Sequence, residues 1–308
     1  MSSTLLRIAT RNSPLALWQA NFIQTQLQHH WPNLKIELVP MTTSGDRFLN
    51  DTLQKLGGKG LFVKELEEAL LDHRADIAVH SMKDVPFVFP ETLSLPIICK
   101  RDNPYDAFVS QHFRSLADLP QQATIGTSSL RRCAQLRAYR SDFNIIPLRG
   151  NVGTRLNRLD EGDYDAIILA AAGLERLNLH HRIQYLLDET LMLPACGQGA
   201  LGIECRLNDD VTRTLITPLH HAFDARCVHT ERTVNMHLGG SCHTPIAIFC
   251  QKNNINELVL KAKVASLDGQ TMITDTQYGP ATSSISLAEQ CAENLKNAGA
   301  LQLLKQSS

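Results

Sequence analysis

The sequence predicts an α/β protein of two lobes, each on a mixed but mostly parallel sheet, followed by a small C-terminal α+β region. Three observations lead there. The chain has 308 residues, more than one core usually serves. Strand and helix signals alternate through its first two-thirds, the pattern of strands joined by crossover helices. From about Phe223 the pattern changes to a helix, a Gly-rich turn, two strands and a last helix.

Leu5 to Ala9 reads as a strand, and Ser13-Pro14 as a helix start, with Ser as N-cap and Pro at the first helical position. Ala16, Ala20, Ile23 and Leu27 follow at helical spacing. Ile36 to Val39 is the next strand. Gly57-Gly58-Lys59-Gly60 opens a second helix, with Phe62, Leu66 and Leu70 on one side, and Asp76 to His80 is a short buried strand. A second unit starts near Lys100. Ala123 to Gly126 is a strand, Thr127-Ser128-Ser129 caps a helix, Asn144 to Leu148 is a strand, Asn151 starts a helix, and Asp165 to Leu169 is a strand again. Ile8 to Ser13 and Ile125 to Ser129 share one plan: a strand, a Thr, a polar turn and a helix start. In the tail, Phe223 to His237 and Ser284 to Asn297 read as helices, and Ile246 to Cys250 and Leu258 to Ala265 as strands.

Composition narrows the function. Lys plus Arg number 30 and Asp plus Glu 31, so no global basic field serves nucleic acid. The first residues lack a basic segment followed by an apolar one, and the longest apolar run, Ala166 to Leu174, is about half a membrane span. A cytosolic protein is expected. The eight cysteines (99, 133, 196, 205, 227, 242, 250 and 291) show no C-x-x-C spacing, so buried free thiols are the default. No Walker loop, G-x-G-x-x-G, H-E-x-x-H or zinc spacing occurs, which leaves no sign of a nucleotide or metal.

Three constellations carry chemistry. Cations recur at strand-to-helix turns: Arg11, Lys55, Lys59, Lys83, Arg131, Arg132, Arg149, Arg155 and Arg176. The helix dipole disfavours a cation in the first turn, so the repetition suggests an anionic ligand, and Arg suits carboxylates. Solvated surface charge is the alternative for any single one. Second, His80-Ser81-Met82-Lys83-Asp84-Val85-Pro86 lies at the carboxyl end of a strand. A carboxylate beside Lys83 stays ionised and can stabilise a developing cation or pass a proton, or Asp84 can simply belong to a turn. Third, in Leu238-Gly239-Gly240-Ser241-Cys242-His243-Thr244-Pro245 the thiol follows two glycines on a loop, accessible as a nucleophile or else an apolar residue at a domain edge. Adjacency alone does not make Cys242 and His243 a dyad.

Together these segments resemble the porphobilinogen deaminase family almost from end to end. The resemblance rests on Arg7-Ile8-Ala9-Thr10-Arg11-Asn12-Ser13-Pro14-Leu15-Ala16, Gly57 to Glu65, His80 to Pro86, Gly126-Thr127-Ser128-Ser129-Leu130-Arg131-Arg132, Arg149 to Arg155, Gly197-Gln198-Gly199-Ala200, and the Cys242 segment with Glu231-Arg232 upstream. It implies two lobes like a periplasmic binding protein with a catalytic cleft between them. The divisions would be 1–99 with 200–218, then 100–199, then 219–308, with Ala200 to Glu204 a buried strand of the first lobe. Cys242 is implied as the thioether anchor of a dipyrromethane cofactor and Asp84 as the catalytic carboxylate. Ser13, Lys83, Ser129, Arg131, Arg132 and Arg155 are implied as cofactor contacts. Arg11, Arg149, Arg155, Arg176, Lys55, Lys59, Thr127 and Ser128 are implied as substrate contacts. The implied reaction joins four porphobilinogen molecules head to tail with loss of ammonia, then releases hydroxymethylbilane by hydrolysis, in haem biosynthesis. A monomer, with handover of product to uroporphyrinogen-III synthase, is the expected setting. Cys196 and His237 depart from the family's usual residues, and Thr43 to Leu56 is a candidate lid.

Two other readings share parts of the pattern. A two-lobed binding protein for a small polyanion has no use for an exposed Cys on a separate domain. A cysteine acyl-transfer enzyme needs a positioned His and an oxyanion hole, and the sequence identifies neither.

Overall fold

The computed structural model describes residues 5–44, 63–241, 244–254 and 257–306. The chain opens with β1 (Leu5–Arg11), α1 (Pro14–His30) and β2 (Lys35–Met41), followed by α2 (Lys64–Leu71), β3 (Ile77–Ser81) and β4 (Leu93–Ile98). Then come β5 (Asp106–Val109), β6 (Thr124–Gly126), α3 (Leu130–Tyr139), β7 (Asn144–Ile146), α4 (Val152–Asp160), β8 (Ala166–Ala170), α5 (Ala171–Arg176) and β9 (Tyr185–Leu187). The last third holds β10 (Leu201–Arg206), α6 (Asp210–Ile216), α7 (Ala222–His237), β11 (Ile246–Lys252), β12 (Glu257–Ala265), β13 (Met272–Pro280), α8 (Ser284–Asn297) and α9 (Ala300–Lys305). The chain divides into two compact units, Met1–Arg101 with Ala200–Ala225, and Asp102–Gly199 with Arg226–Ser308.

Local chemistry sets the helix starts. The Ser13 hydroxyl accepts from Ala16 N at 3.3 Å and Pro14 follows it. Asn151 Oδ1 accepts from Thr154 N at 2.9 Å and starts α4.

The first unit's sheet runs β2-β1-β3-β10-β4, and the second unit's larger sheet runs β7-β6-β8-β5-β9. In each, the first two pairings are parallel and the last two antiparallel. The parallel share is therefore half, smaller than the βα alternation predicts. The antiparallel member is β10 in one sheet, arriving from far along the chain, and β5 in the other, at the start of its segment. The two segments that share one plan in the sequence, around Thr10 and Thr127, end β1 and β6, which hold the same place in their sheets.

Both sheets are buried on two faces, hence their near-continuous apolar runs. On one side of the first, Leu6, Ile8, Ile77 and Ile203 pack with Ala20, Ile23 and Leu27 of α1. On the other, Ala9 and Ala78 pack with Leu66 and Leu70 of α2. In β8 the alternation is visible residue by residue: Ala166 and Ile168 join one core, Ile167 and Leu169 the other.

The third sheet, β11-β12-β13, is antiparallel and belongs to the second unit. Leu193 packs with Ala247 and Phe249 of β11, and Arg137 Nη1 from α3 donates to Leu267 O at 2.5 Å. This sheet has three strands where the sequence predicts two. β13 is an edge strand with exposed alternate positions, and no residue from Met272 to Pro280 is fully buried, so it lacks an apolar run.

Candidate active site

In the first unit, β1 and β3 are parallel neighbours with Ile8 opposite Ile77 and Ala9 opposite Ala78, so their carboxyl ends lie on one sheet edge. That edge carries Arg11, Ser13, Lys83 and Asp84. Arg11, Ser13 and Lys83 are half-buried and Asp84 is exposed, on a short 3-10 turn from Met82 to Asp84. Gln19 Nε2 of α1 donates to Ser81 Oγ at 3.0 Å, tying the helix to the end of β3.

Beneath this edge lies an ionisable cluster. His80 of β3 and Glu204 of β10 are both buried, and Glu67 of α2 is half-buried. Burial first, and then the Glu204 charge, push the Glu67 carboxyl up to about 7, with His80 opposing. The folded protein therefore keeps a proton that the unfolded chain releases. Stability from this group is full below about pH 4.5 and is lost as pH rises through about 7. Glu67→Gln is expected to flatten the urea midpoint between about pH 5 and pH 8 and to gain on the wild type at the upper end. Parallel profiles for the two proteins would contradict this.

In the second unit, β6, β7 and β8 are parallel and their carboxyl ends share an edge. After β6 come Thr127, buried, Ser128, exposed, and Ser129, half-buried at the N-cap of α3. Arg149 and Arg155 follow β7, both half-buried, with Arg155 Nε donating to Gly150 O at 2.8 Å. Arg131 and Arg132 lie in the first turn of α3, and an internal carboxylate answers them. Arg131 Nη1 donates to Asp106 Oδ2 at 2.7 Å. Arg132 donates to Asp106 Oδ1 through Nε at 3.1 Å and Nη2 at 2.7 Å. Burial pushes the Asp106 carboxyl up, but the charges and hydrogen bonds of both guanidinium groups outweigh it and hold the carboxyl well below the usual range. Arg176, in the last turn of α5, donates to Asp102 Oδ2 at 2.9 and 2.8 Å and to Gly199 O at 2.7 Å. Three of the cations read as answers to an anionic ligand thus have a carboxylate of their own.

Cys242, His243, Lys55, Lys59 and most of the candidate lid lie outside the described residues. The segment before Cys242 is placed. Gly240 N donates to Asn235 O at 2.9 Å, and a Cβ on Gly240 would lie 1.8 Å from the buried Asn235 Oδ1. Gly240→Ala is expected to cost about 1–3 kcal/mol of stability by overpacking, read by urea denaturation. An unchanged midpoint would show that the turn yields freely. Upstream in α7, Glu231 accepts from Gly197 N at 2.7 Å and from Cys250 N at 2.8 Å, so the acid next to Arg232 ties α7 to the Gly197 turn and to β11.

A family model for the porphobilinogen deaminase dipyromethane cofactor binding domain matches residues 6–214, and one for the porphobilinogen deaminase C-terminal domain matches 225–297. The porphobilinogen deaminases of Legionella pneumophila strains Lens and Paris are each 57% identical over 304 residues, covering 99% of this chain and 98% of the relative. The chain belongs to the porphobilinogen deaminase family. Solved structures with a likeness include a methionine-bound nutrient binding protein of Burkholderia cenocepacia, at 14% identity and TM-score 0.42, covering 68% of this chain and 90% of that one. The BvgS periplasmic VFT2 domain of Bordetella pertussis has 14% identity and TM-score 0.40, covering 70% and 93%.

The dipyrromethane of porphobilinogen deaminases is a carboxylate-rich group, and the donors at the second unit's strand ends suit it: guanidinium groups and hydroxyls of Thr127, Ser128 and Ser129 on one edge. Among the described residues no cluster of His, Cys, Asp or Glu is placed to hold a metal, and no helix is long and apolar enough to cross a membrane. Sequence reasoning missed Asp106, and it named Glu231 in the Cys242 signature and Glu204 at the end of a strand without finding their partners. A signal for Asp106 existed: α3 carries Arg131, Arg132 and Arg137 and no acid, so its cations need a partner elsewhere.

Proposed function

We propose that the chain catalyses stepwise head-to-tail condensation of four porphobilinogen molecules with loss of ammonia, on a dipyrromethane bound through Cys242, followed by hydrolytic release of hydroxymethylbilane. The carrying observation is identity of 57% along 99% of the chain to a curated porphobilinogen deaminase. When bound, the dipyrromethane supplies the free pyrrole α-carbon at which condensation occurs.

Asp84 stabilises the cation left when porphobilinogen loses ammonia, and accepts the pyrrole N–H. Its exposure at a strand's carboxyl end leaves it open to substrate. Ser13, Lys83, Ser129, Arg131, Arg132 and Arg155 bind the cofactor. Arg11, Arg149, Arg155, Arg176, Lys55, Lys59, Thr127 and Ser128 bind the carboxylates of incoming substrate. Arg131 serves while leaning on Asp106. Arg132 donates through all three of its nitrogens inside the unit, the third bond going to Ile168 O at 2.8 Å, so its ligand contact is the more constrained of the two. In functional terms the chain divides into 1–99 with 200–218, 100–199, and 219–308. The enzyme works as a cytoplasmic monomer and passes its product to uroporphyrinogen-III synthase.

Intact-protein mass of a native preparation is the test. Two pyrrole units add about 420 Da, from two substrates less two ammonia molecules, and the increment should map to the peptide holding Cys242. Incubation with porphobilinogen should then give uroporphyrin after oxidation. Protein of bare sequence mass that never gains the increment from porphobilinogen, or that only binds porphobilinogen reversibly, would overturn the assignment.

A further inference from the structure

Two ionisable side chains meet inside the first unit, and the proposed reaction uses neither. His80 Nε2 lies 2.8 Å from Glu204 Oε2, with side chains 5% and 0% exposed. Glu204 Oε1 has no hydrogen-bond partner among the described residues. Such a pair is a poor device for stability, because desolvation consumes most of its attraction and an apolar pair of similar volume would hold the strands as well. The adjacent cross-strand pair on the opposite face, Val79 with Ile203, is filled that way.

What a side-chain hydrogen bond adds over apolar contact is direction. β10 holds the end of β3 at three successive points. Glu204 takes His80 by its ring. Met82 N donates to Ala200 O at 3.0 Å. The Met82 side chain lies over Gly202, where a Cβ would come 2.3 Å from Sδ. Gly202 is the register partner of His80, and Leu201 of Ser81. The residues fixed in this way, His80 to Met82, lead directly into Lys83 and Asp84.

We propose that Glu204, acting through His80, is a positioning residue for turnover: it sets the end of β3 so that the Met82–Asp84 turn presents the Asp84 carboxylate in one orientation. This rests on the assignment of Asp84 to the reaction. It predicts a role felt in the rate, not in retention of the cofactor, since the proposed tether through Cys242 is covalent.

The test measures kcat and KM for Glu204→Leu, alone and combined with Asp84→Asn, with intact mass to follow the cofactor and an unfolding midpoint to verify the fold at assay temperature. Glu204→Leu is expected to lower kcat about 10–100-fold, the effect of a misplaced reacting group, with KM within about twofold and the adduct mass unchanged. Once Asp84 is already Asn, the same change should lower kcat no further, because positioning a missing carboxylate gains nothing. If Glu204→Leu does not fold, Glu204→Asp withdraws the carboxyl group by one methylene and carries the same expectation at about threefold or more. An unchanged kcat in a folded variant overturns the proposal, as does an equal fall in both backgrounds, which marks general weakening of the fold. Near wild-type kcat for Asp84→Asn alone instead removes the Asp84 assignment, and this proposal with it.

Discussion

Asp84→Asn is expected to keep the dipyrromethane and lose turnover by about 10²–10⁴-fold, the range for removing a positioned acid–base or charge-stabilising group. The substitution is nearly isosteric and the side chain is exposed, so stability should move by no more than about 0.5 kcal/mol. Asparagine still offers a carbonyl oxygen to a pyrrole N–H, so substrate binding persists. It carries no negative charge to set against the cation formed as ammonia departs. The loss should therefore fall on kcat, with KM little changed, which marks an interaction made mainly in the transition state. Single-turnover rates beside intact mass separate the two effects. Near wild-type turnover in a protein that retains the adduct would take the reaction away from Asp84.

Much of this fold is legible in the sequence because its signals are local. Ser13-Pro14 and Asn151 announce helix starts by chemistry confined to one turn, and α8 spans the residues that its spacing predicts. β13 is not legible, since an edge strand with no fully buried residue leaves no apolar run to read. The strand partners are equally hidden. The family resemblance places β10 in the first lobe, as found, but no local pattern carries its pairing with β3 and β4 from more than a hundred residues away. For the site, motif order carries Asp84, the arginines and Cys242. What the buried acids do stays out of sight because each is defined by a distant partner: Asp106 by α3, Glu204 by β3, Glu231 by Gly197 and Cys250. Sequence reasoning sees that cations at the start of α3 need an anion. It does not see that the chain provides one.

Asp106→Asn is expected to be the most damaging single change to the fold of the second unit, costing about 3–5 kcal/mol. Asp106 is fully buried, and its two oxygens take hydrogen bonds from Arg131, Arg132 and, at 3.1 Å, Gln198 Nε2. An amide fills the same space but leaves two buried guanidinium groups repelling each other with no counter-charge, and it turns an NH2 toward at least one of them. The penalty for stranding buried charge exceeds what the intact cluster contributes over an apolar replacement, so the size of the loss reflects what remains unpaired. Because Asp106 is held below the usual carboxylate range, its stabilisation is present above the unfolded value near pH 4 and disappears as pH falls through the folded value. The deficit of Asp106→Asn should therefore be constant from about pH 5 to pH 8 and narrow only in stronger acid. Urea unfolding across that range measures both. If Arg131 and Arg132 also hold the cofactor, the variant should carry less adduct as well, because guanidinium groups freed from Asp106 no longer keep one orientation. A loss below about 1 kcal/mol would mean that water reaches the cluster and the two arginines do not depend on this carboxylate.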